Sequence, residues 1–444
     1  MTGTTATSEG RRKWAVAAVL LLTVAAGTVP AQATATGGRA AAGKGQKQQI
    51  MRLVHEYFVE RDKGWLTREG SVSKDLGDGE VADGPRRLAA RTSRIAAEVE
   101  AESGLRVEEV STGTSRRPDV DIRGRRATVT VTSGSTLKWT NKELGESVYS
   151  DPYIVELERT KKSRNWRIVN VKHATVPLTD ADARSAGPAP EPASTEKRRR
   201  RTDVADGSVG TLETKTFDRA AAGEYARYWS GQSVYQQSDG TYHIEDRYNS
   251  TYDRAKQDNN CTNFVSQVLH EGGWDLEDGV DSDDEDNWHY DLWGPAGPSR
   301  TWSVAYELWK YTIDSDRATR LHDGPPGEAD IWNLKPGDPL FVDWWNENLE
   351  DDPATWKDER AVPDGKIDHA MAVSGSYTEL GFTEPTYSQN SPHRSNIPLS
   401  VGIKIATAPM VDPDGDGVPN DWPAGREMKV HFYPVHVNDT FETD

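Results

Sequence analysis

The sequence predicts an α+β protein with two folded regions joined by a linker. Between residues 46 and 178, apolar residues first recur at helical spacing and then alternate with period two. A second succession of helical and strand patterns runs from residue 214 to residue 444. Residues 179–213 are rich in alanine, proline and charge and offer almost nothing to bury, which is typical of a disordered tether.

The first region, residues 46–178, has the pattern of two helices followed by antiparallel strands. Apolar residues around Val54 indicate the first helix, and the second covers about Pro85–Ala101. Four segments then alternate as half-buried strands do: 106–110, 126–132, 153–158 and 166–171. This order resembles the small, cone-like antiparallel sheet of the nuclear transport factor 2-like fold. The region's sequence contains no nucleophile, metal cluster or phosphate loop, so we expect an accessory domain for binding or spacing.

Residues 1–33 have the pattern of a signal peptide. Arg11–Lys13 precedes the apolar run Trp14–Val24, and Ala31–Ala33 has the small residues of a cleavage site. We expect a secreted, extracellular protein with no membrane span after cleavage, because no later segment has the roughly 20 apolar residues that a crossing helix needs. An uncleaved anchor is the alternative, and the arginine pair leaves the Sec and twin-arginine routes open.

Charge and cysteine content narrow the class of function. The net charge of −18 argues against a nucleic-acid partner, because phosphate binding needs basic patches. The 444 residues include one cysteine, Cys261, so the chain can form no internal disulfide. The 15 Trp, 15 Tyr and 7 Phe can supply a large core without one. The thiol of Cys261 therefore forms an intermolecular disulfide, is buried and unreactive, or is a reactive group.

The segment around Cys261 predicts the start of a helix. Polar residues Asn259–Asn260 precede an apolar-periodic run, which Gly272–Gly273 should end through a left-handed C-cap. The amide groups and positive dipole at a helix N-terminus stabilise a thiolate, so a cysteine there can react near neutral pH. Phe264 and Val265 share the face of Cys261, however, which equally favours a buried core thiol. The residues alone do not distinguish a reactive nucleophile from a buried, unreactive thiol at Cys261.

A cysteine nucleophile needs a base within hydrogen-bond reach, and the pattern favours His369. His270 lies nine positions along the same helix and therefore on the face opposite Cys261. His369 opens the second of two predicted partner strands, residues 338–344 and 367–375. A histidine at a strand start beside a helix N-terminus is the arrangement of papain-like thiol hydrolases, in which thiolate and imidazolium form a pair.

A third polar group usually orients the imidazole. The next predicted strand, residues 386–390, ends in Asn390, whose side-chain carbonyl could accept a hydrogen bond from the ring. Gln389 and Asp368 are alternatives, and the residue pattern does not rank the three.

Several ordered motifs resemble the bacterial "putative amidase domain" family, which is related to the NlpC/P60-like, papain-like cysteine hydrolases. The motifs are residues 261–267 with Gly272–Gly273, the aromatic stretch 288–311, and residues 335–338, 368–375 and 388–390. The resemblance covers about Thr216–Tyr433 and implies a papain-like catalytic domain. It also implies Cys261 as nucleophile, His369 as general base and a third residue at Gln389 or Asn390. The chain departs from the family at Asn260, where Asp is usual, and at Asn390, where His is common.

This resemblance implies a secreted cysteine-dependent amidase or peptidase that cleaves an amide bond through a thioester. For an exported bacterial protein, peptide of the cell wall, or peptidoglycan, is the expected substrate class, and the chemistry requires no cofactor. Two alternatives stay open: a non-catalytic wall-binding module on the same scaffold, and an acyltransferase or transglutaminase-like enzyme.

One further motif suggests a structural calcium site. Carboxylates alternate along residues 412–421, with a glycine after the third, as calcium loops require. The expected ligands are Asp412, Asp414, Asp416 and Asp421. The bidentate glutamate of an EF-hand is missing, because position twelve is Pro423. A hairpin turn rich in Asp and Gly is the alternative.

The aromatic residues Trp302, Tyr306 and Trp309 recur at helical spacing. This spacing favours a core-facing stripe, with a substrate groove as the alternative.

Overall fold

The computed structural model describes ten stretches of the chain. They are residues 36–67, 81–159, 165–174, 213–238, 241–255, 260–277, 285–290, 298–343, 365–407 and 430–443. These residues form a mixed α+β structure around a large, mostly antiparallel sheet, in agreement with the predicted α+β class. The predicted signal peptide and all of the predicted linker except Glu213 lie outside the described residues.

The described residues contain seven α-helices and fifteen β-strands. The helices are α1 Thr36–Asp62, α2 Asp83–Ser103, α3 Arg219–Tyr228, α4 Cys261–Glu271, α5 Arg300–Ser303, α6 Ala305–Asp314 and α7 Leu399–Thr407. Three short 3-10 helices cover Lys63–Trp65, Ser250–Ala255 and Asp330–Asn333.

The strands fall into an early group and a late group. The early strands are β1 Val107–Thr114, β2 Asp119–Arg123, β3 Arg126–Trp139, β4 Glu146–Arg159 and β5 Trp166–His173. The late strands are β6 Glu213–Thr216, β7 Gly231–Gln236, β8 Tyr242–Arg247, β9 Ala318–Arg320, β10 Pro339–Asp343, β11 His369–Glu379, β12 Phe382–Gln389, β13 His393–Pro398, β14 His431–Val437 and β15 Thr440–Thr443.

The helices and four strands predicted for the first region are present. The apolar and polar alternation of β3 and β4 appears as alternating buried and exposed residues along much of their length. Helix α2 ends at Gly104, whose positive φ of 76° closes the helix with a hydrogen bond from its N–H to the Glu100 carbonyl. The pattern missed β2, which pairs with β3 through the residues from Asp119 to Arg123.

One sheet includes strands from both predicted regions. Its order is β7-β8-β1-β3-β4-β13-β12-β11-β10-β14-β9, with β2 on β3 and β5 on β4. The junction is the antiparallel pairing of β4 with β13, where Tyr149 lies opposite Arg394 and Ser150 opposite His393. A parallel contact between Thr114 of β1 and β8 adds a second junction. The first region is therefore hydrogen-bonded into the sheet that carries the late strands.

The late part of this sheet has an apolar core on each face. The even-numbered residues Ala370 and Ala372 of β11 belong to the core that contains Phe264 of α4. The odd-numbered residues Met371 and Val373 belong to the core that contains residues of α2 and α7. This division follows from the two-residue period of a strand, and it places α4 over the small alanine side chains.

Helix α4 begins and ends as the sequence predicts. It starts at Cys261, with Asn260 as its N-cap residue. At the other end, the Gly273 N–H donates to the His270 carbonyl at 2.9 Å and the Trp274 N–H to the Leu269 carbonyl at 3.1 Å. Gly273 has φ of +106°. These two hydrogen bonds form a Schellman motif, which confirms the predicted left-handed cap.

The aromatic stripe belongs to the core, as its helical spacing indicated. Trp302 and Trp309 are buried in the same cluster as Phe264 of α4. Trp302 packs on Trp288 at 4.9 Å between ring centroids. The stripe spans two helices, because Val304 between α5 and α6 has extended backbone angles.

A buried carboxylate, Asp338, joins three separate elements. Its side chain is 0% exposed and accepts hydrogen bonds from Arg219 Nη1 of α3 at 2.8 Å and His436 Nδ1 of β14 at 2.8 Å. It also accepts from the backbone N–H groups of Lys335 at 2.8 Å and Val437 at 3.0 Å. Four donors compensate for its removal from water. Asp338 therefore joins three elements: helix α3, strand β14 and the turn that precedes β10.

We expect Asp338→Ala to lower the free energy of unfolding by about 3 kcal/mol, because it leaves four donors of this buried site without their acceptor. The matched control is Asp439→Asn. Asp439 pairs with the same Arg219 but is 65% exposed, so its loss should cost less than about 1 kcal/mol. Urea unfolding monitored by tryptophan fluorescence measures both, and equal losses would contradict the assigned role of Asp338.

Candidate active site

The thiol of Cys261 occupies the first position of α4, an eleven-residue helix. Its side chain is half-buried, and Sγ lies 3.7 Å from the Thr262 hydroxyl. The backbone N–H groups in the first turn of any α-helix have no carbonyl acceptor within the helix, and Cys261 lies in that turn. Together with the helix dipole they favour a negative charge at the thiol.

Asn260 connects the start of α4 to the turn between β12 and β13. Its backbone N–H donates to the Ser391 hydroxyl at 3.2 Å. Its side-chain oxygen accepts from Asn263 Nδ2 at 2.5 Å, and the Asn263 oxygen in turn accepts from the indole N–H of Trp302. Asn260 is buried within this network. The side-chain amide of Asn260 therefore orders the helix start.

His369 is the first residue of β11 and lies opposite Val342 of β10, as the predicted strand pair requires. Its side chain is buried, at 4% exposure. Burial lowers the pKa of His369 to about 4, and the charge of Arg394 lowers it further, whereas the hydrogen bond that the ring donates to Gln389 raises it. At neutral pH the ring is therefore neutral and able to accept a proton. This differs from the thiolate and imidazolium pair expected from the papain-like pattern.

Gln389 is the side chain that the structure brings to His369, in place of the expected Asn390. The Gln389 amide nitrogen also donates to the Pro392 carbonyl at 3.0 Å, which fixes its orientation. The Asn390 side-chain oxygen is buried beside Gly231 instead, and it accepts no hydrogen bond from the described residues. Gln389 is the last residue of β12, whereas Asn390 lies in the turn that follows the strand. Asp368, the other alternative, is joined to β10 by its backbone: its N–H donates to the Val342 carbonyl at 2.9 Å.

Residues 389–393, which we call the site turn, contact Asn260, the residue before Cys261, and the imidazole of His369. Ser391 receives the N–H of Asn260, directly before Cys261. Gln389 contacts His369. The turn thus links the start of α4 with the start of β11, two positions more than 100 residues apart in the sequence.

The sequence pattern missed His393, the last residue of the site turn. Its Nδ1 donates to the Ser230 carbonyl at 3.2 Å, and its Nε2 accepts from the Tyr248 hydroxyl at 3.3 Å. Burial lowers the pKa of His393 to about 4. A Cβ at Gly231 would lie 2.2 Å from His393 Nδ1, so this position requires glycine.

His270 lies away from the site, as its place on α4 predicts. Its Nδ1 donates to the Trp274 carbonyl at 2.8 Å, and its ring packs among Trp288, Tyr290 and Trp302.

Within the described stretches, no group of three or more His, Cys, Asp or Glu side chains is placed to hold a metal ion. The predicted calcium ligands Asp412, Asp414, Asp416 and Asp421 lie outside these stretches, so the calcium site stays a prediction. No helix among the described residues has the length and apolar character to cross a membrane.

Residues 216–403 match the model of a protein family described as "putative amidase domain". This range includes Cys261, His369 and Gln389. Among solved structures, the chain is similar to a putative scytalone dehydratase from Novosphingobium aromaticivorans, at 13% identity and a TM-score of 0.21, over 31% of this chain and 89% of that one. No curated protein matches the chain.

We expect Gln389→Glu to raise the pKa of His369 by one unit or more, because a carboxylate would replace the neutral partner of the ring. Asn390→Asp is the matched control: it adds the same charge one residue further on, and it should shift this pKa much less. NMR titration of the His369 ring protons, assigned with His369→Gln, measures both. A larger shift in the Asn390 variant would restore Asn390 as the partner of the imidazole.

The lowered pKa of His369 should make stability depend on pH. The unfolded histidine, with a pKa near 6.5, binds a proton more readily than the folded one, whose pKa is about 4, so acid favours unfolding. This contribution is complete above pH 6.5 and is lost as the pH falls towards 4. Between pH 7 and pH 4.5 the free energy of unfolding should therefore fall by about 2 kcal/mol more in the wild type than in His369→Gln. Urea unfolding at the two pH values measures the difference, and equal falls would contradict the burial of a neutral ring.

Proposed function

We propose that this protein is a cysteine-dependent amidase or peptidase in which Cys261 is the nucleophile and His369 the general base and acid. The match of residues 216–403 to an amidase family supports amide hydrolysis. The observation that carries the assignment of residues is the site turn, which contacts the helix start at Cys261 through Ser391 and the imidazole of His369 through Gln389.

The protonation states suit this role. His369 is neutral at neutral pH and can take the proton of the Cys261 thiol as the sulfur attacks the amide carbonyl carbon. A carbon–sulfur bond forms and the carbon–nitrogen bond breaks, leaving a thioester. The buried imidazolium is a stronger acid than a solvated one, so it readily protonates the leaving amine. His369 then removes a proton from water, which attacks the thioester and releases the acid and the thiol.

The helix start also supplies a place for the developing charge. The backbone N–H groups of the first turn of α4, beginning at Cys261, have no helical acceptors. They can stabilise the oxyanion of the tetrahedral intermediate, a contribution of roughly 3 kcal/mol for one such donor in other hydrolases.

The packing limits where base and thiol can meet. The residues of β11 in the core beneath α4 are Ala370 and Ala372, and His369 precedes them at the strand start. His369 has the strand parity of Met371 and Val373, whose core lies on the face away from α4. We infer that it can reach Cys261 only around the end of the sheet, beside the site turn. A substrate amide would enter at that end.

We further propose that the protein is exported and acts on peptide of the bacterial cell wall. The support is the signal pattern of Arg11–Lys13, Trp14–Val24 and Ala31–Ala33. An exported amide hydrolase of a bacterium meets peptidoglycan peptides as its most abundant amide substrate.

The reactivity of Cys261 provides the first test. We expect iodoacetamide to alkylate the native thiol with a midpoint about one pH unit or more below 8.5, because the helix start stabilises the thiolate. The same chain in urea is the control and should show an ordinary midpoint near 8.5. Mass spectrometry measures the labelled fraction directly, since Cys261 is the one thiol of the sequence. Labelling of the folded chain only above about pH 8.5 would exclude an activated nucleophile.

Product analysis separates the alternative functions. Cell-wall fragments incubated with the wild type should gain new amine termini, and Cys261→Ala should lose this activity by at least a thousandfold. Adducts with an added amine would identify an acyltransferase or transglutaminase-like enzyme. Binding to the fragments without new termini, equal in wild type and Cys261→Ala, would identify a wall-binding module.

A further inference from the structure

A buried ion pair joins β4 to the strand that follows the site turn. Arg394 Nη2 of β13 donates to Asp151 Oδ1 of β4 at 2.8 Å, and both side chains are at most a tenth exposed. Arg394 Nη1 also donates to the Ser150 carbonyl at 3.0 Å and to the His393 carbonyl at 2.8 Å. The guanidinium therefore clamps the site turn onto β4, a strand of the first region.

Arg394 lies beside the partner of His369. In the antiparallel pairing of β12 with β13, Gln389 is directly opposite Arg394, and cross-strand partners share a face of the sheet. Gln389 in turn contacts His369. A chain of adjacent groups thus runs from Asp151 through Arg394 and Gln389 to the imidazole.

The charges in this chain are balanced. Burial opposes the ionised form of Asp151, but Arg394 and His173 lower its pKa below the usual value, so the carboxylate is charged at neutral pH. Burial likewise opposes the charge of Arg394, and Asp151 raises its pKa. Arg394 lowers the pKa of His369, and it is the charged side chain that acts on this ring among the described residues. Asp151 offsets that effect by neutralising Arg394.

We propose that Asp151 and Arg394 are positioning residues for His369, so that the first region completes the active site. The proposal rests on the proposed function. Asp151 precedes residues 216–403, the segment that matches the amidase family. The first region would then be a working part of the enzyme and not only the binding or spacer domain that its sequence suggests.

The test is Arg394→Met in the full-length chain. Removing the guanidinium leaves the Asp151 carboxylate near the Gln389–His369 pair, so the pKa of His369 should rise by about one unit or more. The acid limb of the pH profile for hydrolysis should move upwards by the same amount. NMR titration of the ring reports on this proposal even if the chain hydrolyses no amide, whereas alkylation of Cys261 reports on the proposed function.

The matched control is Arg61→Met. Arg61 is also a buried arginine paired with a buried carboxylate, Asp62, at 2.7 Å. Its loss should cost stability and leave the pKa of His369 within about 0.3 units of the wild type. If both variants leave the pKa of His369 unchanged, or shift it equally, the proposal is overturned.

If Arg394→Met does not fold, the double variant Asp151→Asn with Arg394→Met takes its place. The double variant should fold more readily, because it leaves no unpaired charge buried. It should raise the pKa of His369 by less than the single substitution, since the carboxylate is also gone. A double variant whose His369 pKa rises by one unit or more would contradict the proposal, because no unpaired carboxylate is left to raise it.

Discussion

The antiparallel pairing of β4 with β13 holds the described parts of the chain in one sheet. It hydrogen-bonds the first region to the late strands and makes one continuous sheet of both. The buried pair of Asp151 and Arg394 reinforces it at the residue that follows the site turn. Because this turn contacts the start of α4 and the imidazole of His369, the geometry of the candidate site is tied to a strand that precedes it by more than 200 residues.

Burial then sets the chemistry of the site. Removing His369 from water favours the neutral ring, so the general base that we propose can accept a proton before any substrate arrives. The thiol has the opposite environment, since the N-terminus of a helix favours its ionised form. Two titratable groups with opposed environments are the usual basis for acid and base assignments in hydrolases. Here the sheet supplies one environment and the helix the other.

The candidate site shows where reasoning from the residues succeeds and where it stops. Cys261 was placed at a helix start because capping is a local property of neighbouring residues, and His369 was placed at a strand start for the same reason. The choice between Gln389 and Asn390 depends on where β12 ends, since Gln389 closes the strand and Asn390 begins the turn. A one-residue difference in register reverses that answer, and no local pattern reveals it. His393 was missed because its partners, Ser230 and Tyr248, are separated from it by 163 and 145 residues.

The sequence by itself determined the local elements and the chemical candidates: an α+β pattern, a thiol at a helix N-terminus, a histidine at a strand start and a glycine cap after α4. These depend on interactions within one or two turns of a helix or along one strand, which the order of residues specifies directly. Only the tertiary structure decided that the first region shares the sheet, that Gln389 contacts the imidazole and that Arg394 pairs with Asp151, 243 positions away. Such contacts depend on strand order and burial, and these are settled by the free energy of the whole fold.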